Sequence, residues 1–251
     1  MIGIFYPYLE SASKWEELRY SLRSLEKFFE EEYEVWIVGD KPDWIRNVRH
    51  IPHTPETGRV MSPVTYDAIM KLATYIDEDD SPDKFIRMYD DIYFVGKRNL
   101  LDLEVTRYLL TYEELQAKAL SSGSFTWRDQ VRRTVAAVRA KGYAGLMTET
   151  HCPEIFEKDN MREIFDLFDP LEGRLLTSTL YYNVFPFERM LKDRDTERIL
   201  FYGEGGNIGM GGHVGQPIQG KYFLNHNDKG LNAGLKRFIK GMFREKSRFE
   251  K

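Results

Sequence analysis

The chain is nearly devoid of cysteine. Its one thiol, Cys152, cannot close a disulfide within the chain or build a cysteine-ligated zinc site, so a reducing compartment is the expectation. Long apolar runs are missing too. No stretch approaches the ~18 consecutive apolar residues that a membrane-spanning helix needs. The opening MIGIFYPYLE has neither the basic start nor the long apolar core of a secretory leader. A soluble, cytoplasmic protein is therefore expected. An excess of one charge is also lacking: 36 Lys and Arg face 40 Asp and Glu, a net charge of −4, which argues against a generic polyanion binder. Seven glycines crowd Gly203–Gly215, yet they include no Gly-Lys-Ser/Thr and follow no clear strand. They match neither a P-loop nor a dinucleotide fingerprint and read as a loop that could move.

What the 251 residues do carry is alternation of strand and helix patterns. IGIFYPY is a short β-branched and aromatic run, a first strand. In the next segment Leu18, Leu22, Leu25 and Phe29 recur at helical spacing, and Ser13 with Glu16 has the spacing of a capping box. YEVWIVGD is a second buried strand. Strand, helix, strand at this distance is a βαβ unit, which implies a parallel sheet. A short strand follows in VRHIPHTPETG, then a helix in SPVTYDAIMKLATYI, then a strand across Lys84–Gly96. Beyond Leu100 the pattern is less regular and mostly helical, with Gly142 a candidate C-cap after an Arg-rich helix. One α/β domain over 1–251 is expected, with a βαβ part over 1–100 and a less regular helical part over 101–251.

Adjacent carboxylates in an apolar strand are the first chemical signal. Asp90 and Asp91 interrupt KFIRMYDDIYFVG, and burying an unpaired charge is costly. Two carboxylates at the end of a parallel strand can seat a divalent cation, which prefers oxygen ligands. The bland alternative is a solvated strand end. His151 lies in TETHCPEIF with Glu149 and Glu154 near it in sequence and could take a proton from a hydroxyl. His50 and His53 are weaker candidates. Arg128, Arg132, Arg133 and Arg139 lie on one helix and could receive phosphate or nucleic acid, although a solvated charged face explains them equally well. NHND, Asn225 to Asp228, offers amide and carboxylate oxygens after an apolar strand, though alone it would be a turn.

The order of these features resembles the Stealth family of sugar-phosphate transferases. LRYSLRS followed by VWIVGDKPDWI is similar to that family's second block, which ends in an acidic stretch inside an apolar strand, here Tyr89-Asp90-Asp91. The family has Asn where Tyr89 stands, and Glu where Asp67 stands. His151-x-Pro153 and, further on, Arg174 resemble the third block; Asn227-Asp228 and Ser247–Glu250 resemble the fourth. The family's first block has no counterpart. The resemblance implies a GT-A-like fold: a mostly parallel sheet flanked by helices, with a less regular helical second half. It implies transfer of a sugar or sugar-1-phosphate from a nucleotide-diphosphate sugar to a hydroxyl, with a glycan as the expected acceptor. Mg²⁺ or Mn²⁺ would sit on Asp90, Asp91 and Asp228. Catalytic roles fall to His151, Asp91, Arg174 and Asp67. Donor contacts fall to Arg19, Arg23, Asn227, and Tyr6 and Tyr8 as stacking groups for the base. The alternatives are a plain glycosyltransferase acting on a nucleic-acid base and a non-catalytic binding module for nucleotide sugar or glycan. Nucleic acid is the less favoured partner.

Overall fold

The computed structural model describes residues 1–55, 63–117, 125–192, 198–201 and 220–251. The glycine-rich loop of the sequence reading lies outside them. In chain order the first half runs β1 (Ile2–Tyr8), α1 (Glu17–Phe28), β2 (Tyr33–Gly39), β3 (Arg49–Ile51), α2 (Pro63–Asp77), β4 (Lys84–Arg87), β5 (Ile92–Phe94) and α3 (Leu100–Leu103). The second half runs β6 (Thr106–Tyr108), α4 (Tyr112–Ala117), α5 (Phe125–Ala140), β7 (Glu154–Glu157), α6 (Lys158–Phe168), α7 (Pro170–Gly173) and α8 (Thr177–Val184). Then come β8 (Met190–Lys192), β9 (Arg198–Phe201), β10 (Phe223–His226) and α9 (Ala233–Met242).

The main sheet has the order β3-β2-β1-β4-β7. Its first four strands are parallel; β7 runs antiparallel to β4. The fold is thus a mixed α/β sheet that is mostly parallel. Strand β1 explains why both faces must be covered. Ile4 and Tyr6 point into a core shared with Leu18, Leu22 and Leu25 of α1. Phe5 points the other way, against Leu72 and Tyr75 of α2 and Phe156 of β7. Side chains alternate along a strand, so two apolar sets on one strand require two covering layers. Each fully buried Leu in these layers contributes about 2 kcal/mol.

The expected strand over Lys84–Gly96 is two strands. Pairing of β4 with β1 ends at Phe5↔Arg87, and the Met88 N–H still reaches the Phe5 carbonyl at 2.8 Å. The chain then turns through Asp90 and Asp91, closed by Ile92 N–H to the Tyr89 carbonyl at 3.1 Å. Strand β5 joins a different sheet, ordered β5-β10-β9, by antiparallel pairing with β10. The reason is electrostatic: two carboxylates within a continuous sheet would be buried without partners. Leaving the main sheet at Arg87 puts both at its C-terminal edge, half-buried.

Helix α1 braces that turn. Ser21 Oγ donates to the Ile92 carbonyl at 2.7 Å, and Ser24 Oγ accepts the Phe94 N–H at 3.0 Å. These two serines satisfy the edge of β5 that β10 leaves open. The capping box expected at Ser13 and Glu16 does not form. The helix starts at Glu17, whose carboxylate accepts Ser13 Oγ at 2.7 Å and the N–H groups of Lys14 and Trp15 at 3.1 and 2.6 Å. Gly142 does terminate α5's last turn, with φ +89°. Residues 246–251 fold back on α1 and on the turn after β2. The Lys251 N–H donates to Trp44 and the Arg46 N–H to Phe249, both at 2.9 Å. Arg23 clasps the Glu250 carboxylate at 2.6 and 2.7 Å.

Candidate active site

Parallel strands β1, β2 and β4 all end on one side of the sheet, at Tyr8, Gly39 and Arg87. Asp90 and Asp91 follow β4 directly. The Asp91 carboxylate meets the His151 imidazole, with Nε2 at 2.9 and 3.1 Å from its two oxygens. Burial alone would raise the Asp91 pKa, but the charge and hydrogen bond of His151 outweigh it and hold the group below its ordinary value. Asp90 goes the other way. Burial, then the neighbouring Asp91 and Glu17, push it up to about 7. The two adjacent carboxylates thus titrate in opposite directions: Asp91 is held ionised by its imidazole partner, and Asp90 keeps its proton to higher pH.

His151 is held in a left-handed backbone conformation, φ +54°, that non-glycine residues seldom adopt. Its carbonyl accepts Asn225 Nδ2 at 2.5 Å, and its ring stacks on Tyr89 at 5.3 Å and 15°. The Arg87 guanidinium lies 5.4 Å from the Tyr89 ring centre and 5.0 Å from that of Phe156. Arg87 is buried, bonded to Glu154 at 2.5 and 3.0 Å, to Thr177 at 2.8 Å and to Ser178. Glu149 shares this network and accepts the N–H and hydroxyl of Thr179, both at 3.0 Å. Burial and the charge of Glu154 push Glu149 up to about 7.

A cavity of about 360 Å³ opens beside the same sheet edge, lined by Tyr8, Ser13, Lys14, Trp15, Arg19 and Trp44 among others. Arg19 lies over the Trp44 ring at 4.6 Å.

The remaining candidates divide. Arg19 lines the cavity but is paired with Glu16 and lies 3.5 Å from Glu250; Arg23 is committed to Glu250 and the Phe243 carbonyl. Tyr6 is buried beneath the sheet end and donates to Ser21 Oγ at 2.9 Å, because the Ser21 proton is already given to Ile92. Asp67 is buried on α2, 2.5 Å from Lys71 Nζ and 3.7 Å from His53 Nε2. Lys71 in turn donates to the Tyr8 carbonyl at 2.8 Å, packing where a Cβ on Gly39 would sit. His50 is bonded to the Gly39 carbonyl at 2.9 Å. Arg174 ends α7 at φ +55°, with its N–H on the Leu171 carbonyl. Asn227 closes its own turn by accepting the Gly230 N–H at 2.8 Å, and Asp228 is exposed in that turn. On α5, Arg133 pairs with Asp129 at 2.7 Å.

Sequence reasoning noticed Asn225 only as part of NHND and gave no role to His226; these are the last two residues of β10. Asn225 is fully buried; its Nδ2 serves His151 and its Oδ1 has no partner. His226 lies 3.1 Å from the Tyr93 hydroxyl, and burial lowers its pKa, so it is neutral. Polar residues at the end of an apolar strand, the signal that drew notice to Asp90, also mark this pair. Trp15 and Trp44 were missed as well, although Trp44 sits in the quoted VWIVGDKPDWI.

No family model matches the sequence, and no curated protein matches it. Solved structures similar in fold include an active-site mutant of LgtC, 11% identical, and the galactosyltransferase LgtC in complex with donor and acceptor sugar analogs, 13% identical. Each has a TM-score of 0.51, and each match covers 99% of this chain and 98% of that one. The fold is GT-A-like.

Within this GT-A-like frame, the donor set suits a divalent cation. Two carboxylates and the unpartnered amide oxygen of Asn225 are oxygen donors that Mn²⁺ or Mg²⁺ accepts; His226 is already engaged, its Nδ1 with the Asn227 carbonyl and its Nε2 with the Tyr93 hydroxyl. Among the described residues, no three His, Cys, Asp or Glu side chains already converge on one point. No helix among them is long and apolar enough to cross a membrane.

Proposed function

We propose that this chain is a transferase that moves a sugar, or a sugar with its 1-phosphate, from a nucleotide-diphosphate sugar to an acceptor hydroxyl, a glycan being the favoured acceptor. The observation that carries the reading is the Asp90-Asp91 turn at the end of a parallel strand, opposite His151 and beside a Trp-lined cavity. Ligands of open α/β sheets bind outside the carboxyl ends of the strands. Asp90 and Asp91, with Asn225, would hold Mg²⁺ or Mn²⁺; such an ion supplies positive charge against the diphosphate. Trp44, its face already matched by Arg19, and Trp15 would stack on the base, with Tyr8 at the cavity wall. His151, oriented by Asp91, would hold the proton that leaves the acceptor hydroxyl.

Two bond changes fit this arrangement. In plain glycosyl transfer the acceptor oxygen bonds to the anomeric carbon, the carbon–oxygen bond to phosphate breaks, and a nucleoside diphosphate leaves. In sugar-phosphate transfer the oxygen bonds to the β-phosphorus, the bridging P–O bond breaks, and a nucleoside monophosphate leaves. The fold serves both. A thermal-shift screen of nucleotide sugars with Mn²⁺ or Mg²⁺ identifies the donor, and the mass of the product decides whether phosphorus was carried over. Asp91→Asn should abolish cation-dependent donor hydrolysis while the protein stays folded. Undiminished hydrolysis by that variant would refute the role given to the turn.

A further inference from the structure

Four flat groups are layered against the sheet edge: Phe156 of β7, Arg87 of β4, Tyr89 of the Asp-Asp turn, and the His151 imidazole. The inner layers are immobile. Phe156 is fully buried, and β4 and β7 register Phe85 with Phe156 and Arg87 with Glu154. The Arg87 guanidinium is bonded at its rim to Glu154, Thr177 and Ser178. The outermost layer is the opposite. The His151 side chain is 43% exposed and hangs from a backbone in the left-handed region. An imidazole this exposed keeps its orientation through its contacts, Asp91 and Tyr89 among them, because ordering a side chain costs free energy. Tyr89 is the single layer between the fixed guanidinium and that imidazole.

We propose that Tyr89 is the positioning residue for His151: its ring fixes the plane of the imidazole and so keeps Nε2 on the Asp91 carboxylate. The hydroxyl is not required for this, because the contact is face to face at 5.3 Å and 15°. The inference rests on the transferase reading for its kinetic consequence but not for its geometry. Tyr89 does not contact the substrate; it acts through His151, and 1 Å of misplacement in an acid–base group costs up to ~100-fold in rate.

The test uses Tyr89→Phe, Tyr89→Leu and Tyr89→Asn, each also combined with His151→Ala. The His151 ring signal, assigned by its loss in His151→Ala, is followed by NMR, and kcat and KM for donor hydrolysis are measured in parallel. Expected are an upfield ring-current shift of His151 in wild type and Tyr89→Phe, and its loss in Tyr89→Leu, which fills the space without an aromatic face. Expected too are near wild-type kinetics for Phe, a fall in kcat of ~10-fold or more for Leu and Asn with KM little changed, and no further loss when either is added to His151→Ala. A His151 signal that keeps its shift in Tyr89→Leu overturns the proposal. So does a full additional loss in the His151→Ala background, or a change confined to KM. If wild type hydrolyses no nucleotide sugar, the transferase reading falls, and the NMR comparison decides the positioning role by itself.

Discussion

Asp90→Asn should stabilise the protein in the absence of divalent cation, and the gain should grow with pH. Asp90 is pushed from 3.8 to about 7 by burial, by Asp91 and by Glu17. The folded state therefore holds this proton to higher pH than the unfolded chain does. Between roughly pH 4 and 7 the folded protein binds more protons, so its stability falls as pH rises through that window. A rise of this size corresponds to about 4 kcal/mol, and solvent screening of a half-buried group discounts it to about 2 kcal/mol. Asparagine keeps the shape and carries no charge, so the variant escapes the penalty. Asp91, held low by its imidazole partner, carries stability of the opposite sign that is lost as pH falls; it is common to both proteins and largely cancels in the difference. For a chain of this length the gain at pH 8 amounts to about 4–8 °C in Tm over wild type, shrinking toward zero near pH 4. Thermal unfolding with EDTA, from pH 4.5 to 8, measures it. Adding Mn²⁺ should reverse the ranking at pH 8, because the ion stabilises only the protein whose Asp90 can ionise. A Tm difference that is the same at pH 4.5 and pH 8 would refute the reasoning.

His151→Ala should lower kcat for donor turnover by ~100-fold or more with little change in Tm; a loss under threefold removes it from proton transfer. Trp44→Ala should raise the Kd for the nucleoside diphosphate by ~10-fold, read by calorimetry, and leave the Mn²⁺-induced shift in Tm intact. Arg87→Met leaves Glu154 and Glu149 buried without their cation, and should cost about 3–5 kcal/mol in chemical unfolding at pH 8. That cost should ease at pH 5.5, where Glu149 takes up a proton in the folded state.

Much of the fold could be read in the sequence because both faces of β1 and β2 are apolar and the spacing of α1 is helical. Local pattern failed where a distant partner decides. Phe85 and Ile86 before the Asp pair and Ile92, Tyr93 and Phe94 after it look like one strand. Only β10, ~130 residues later, draws the second half into another sheet. The acidic pair and His151 could be found because charges inside apolar runs are locally conspicuous. Asn225 stood out only as part of NHND; its bond to His151, 74 positions away, and the bond of His226 to Tyr93, 133 positions away, were hidden. Arg19 and Arg23 illustrate the converse. Basic residues suited to phosphate also suit a carboxylate of the same chain, and no spacing rule foretells that Glu250 takes them.

That clasp has a kinetic meaning. Arg23 and Glu250 are separated by 227 positions, and Trp44 is anchored by the backbone of Lys251. The cavity wall, drawn from residues 8–44, is thus held in place by residues 246–251, far along the chain. A nascent chain that has emerged to about residue 200 already holds β1–β4 and can form the main sheet, but it cannot yet seat Trp44. Core formation and readiness to bind a nucleotide are then separate events in time. Ligand affinity, rather than secondary structure, reports when residues 246–251 have docked.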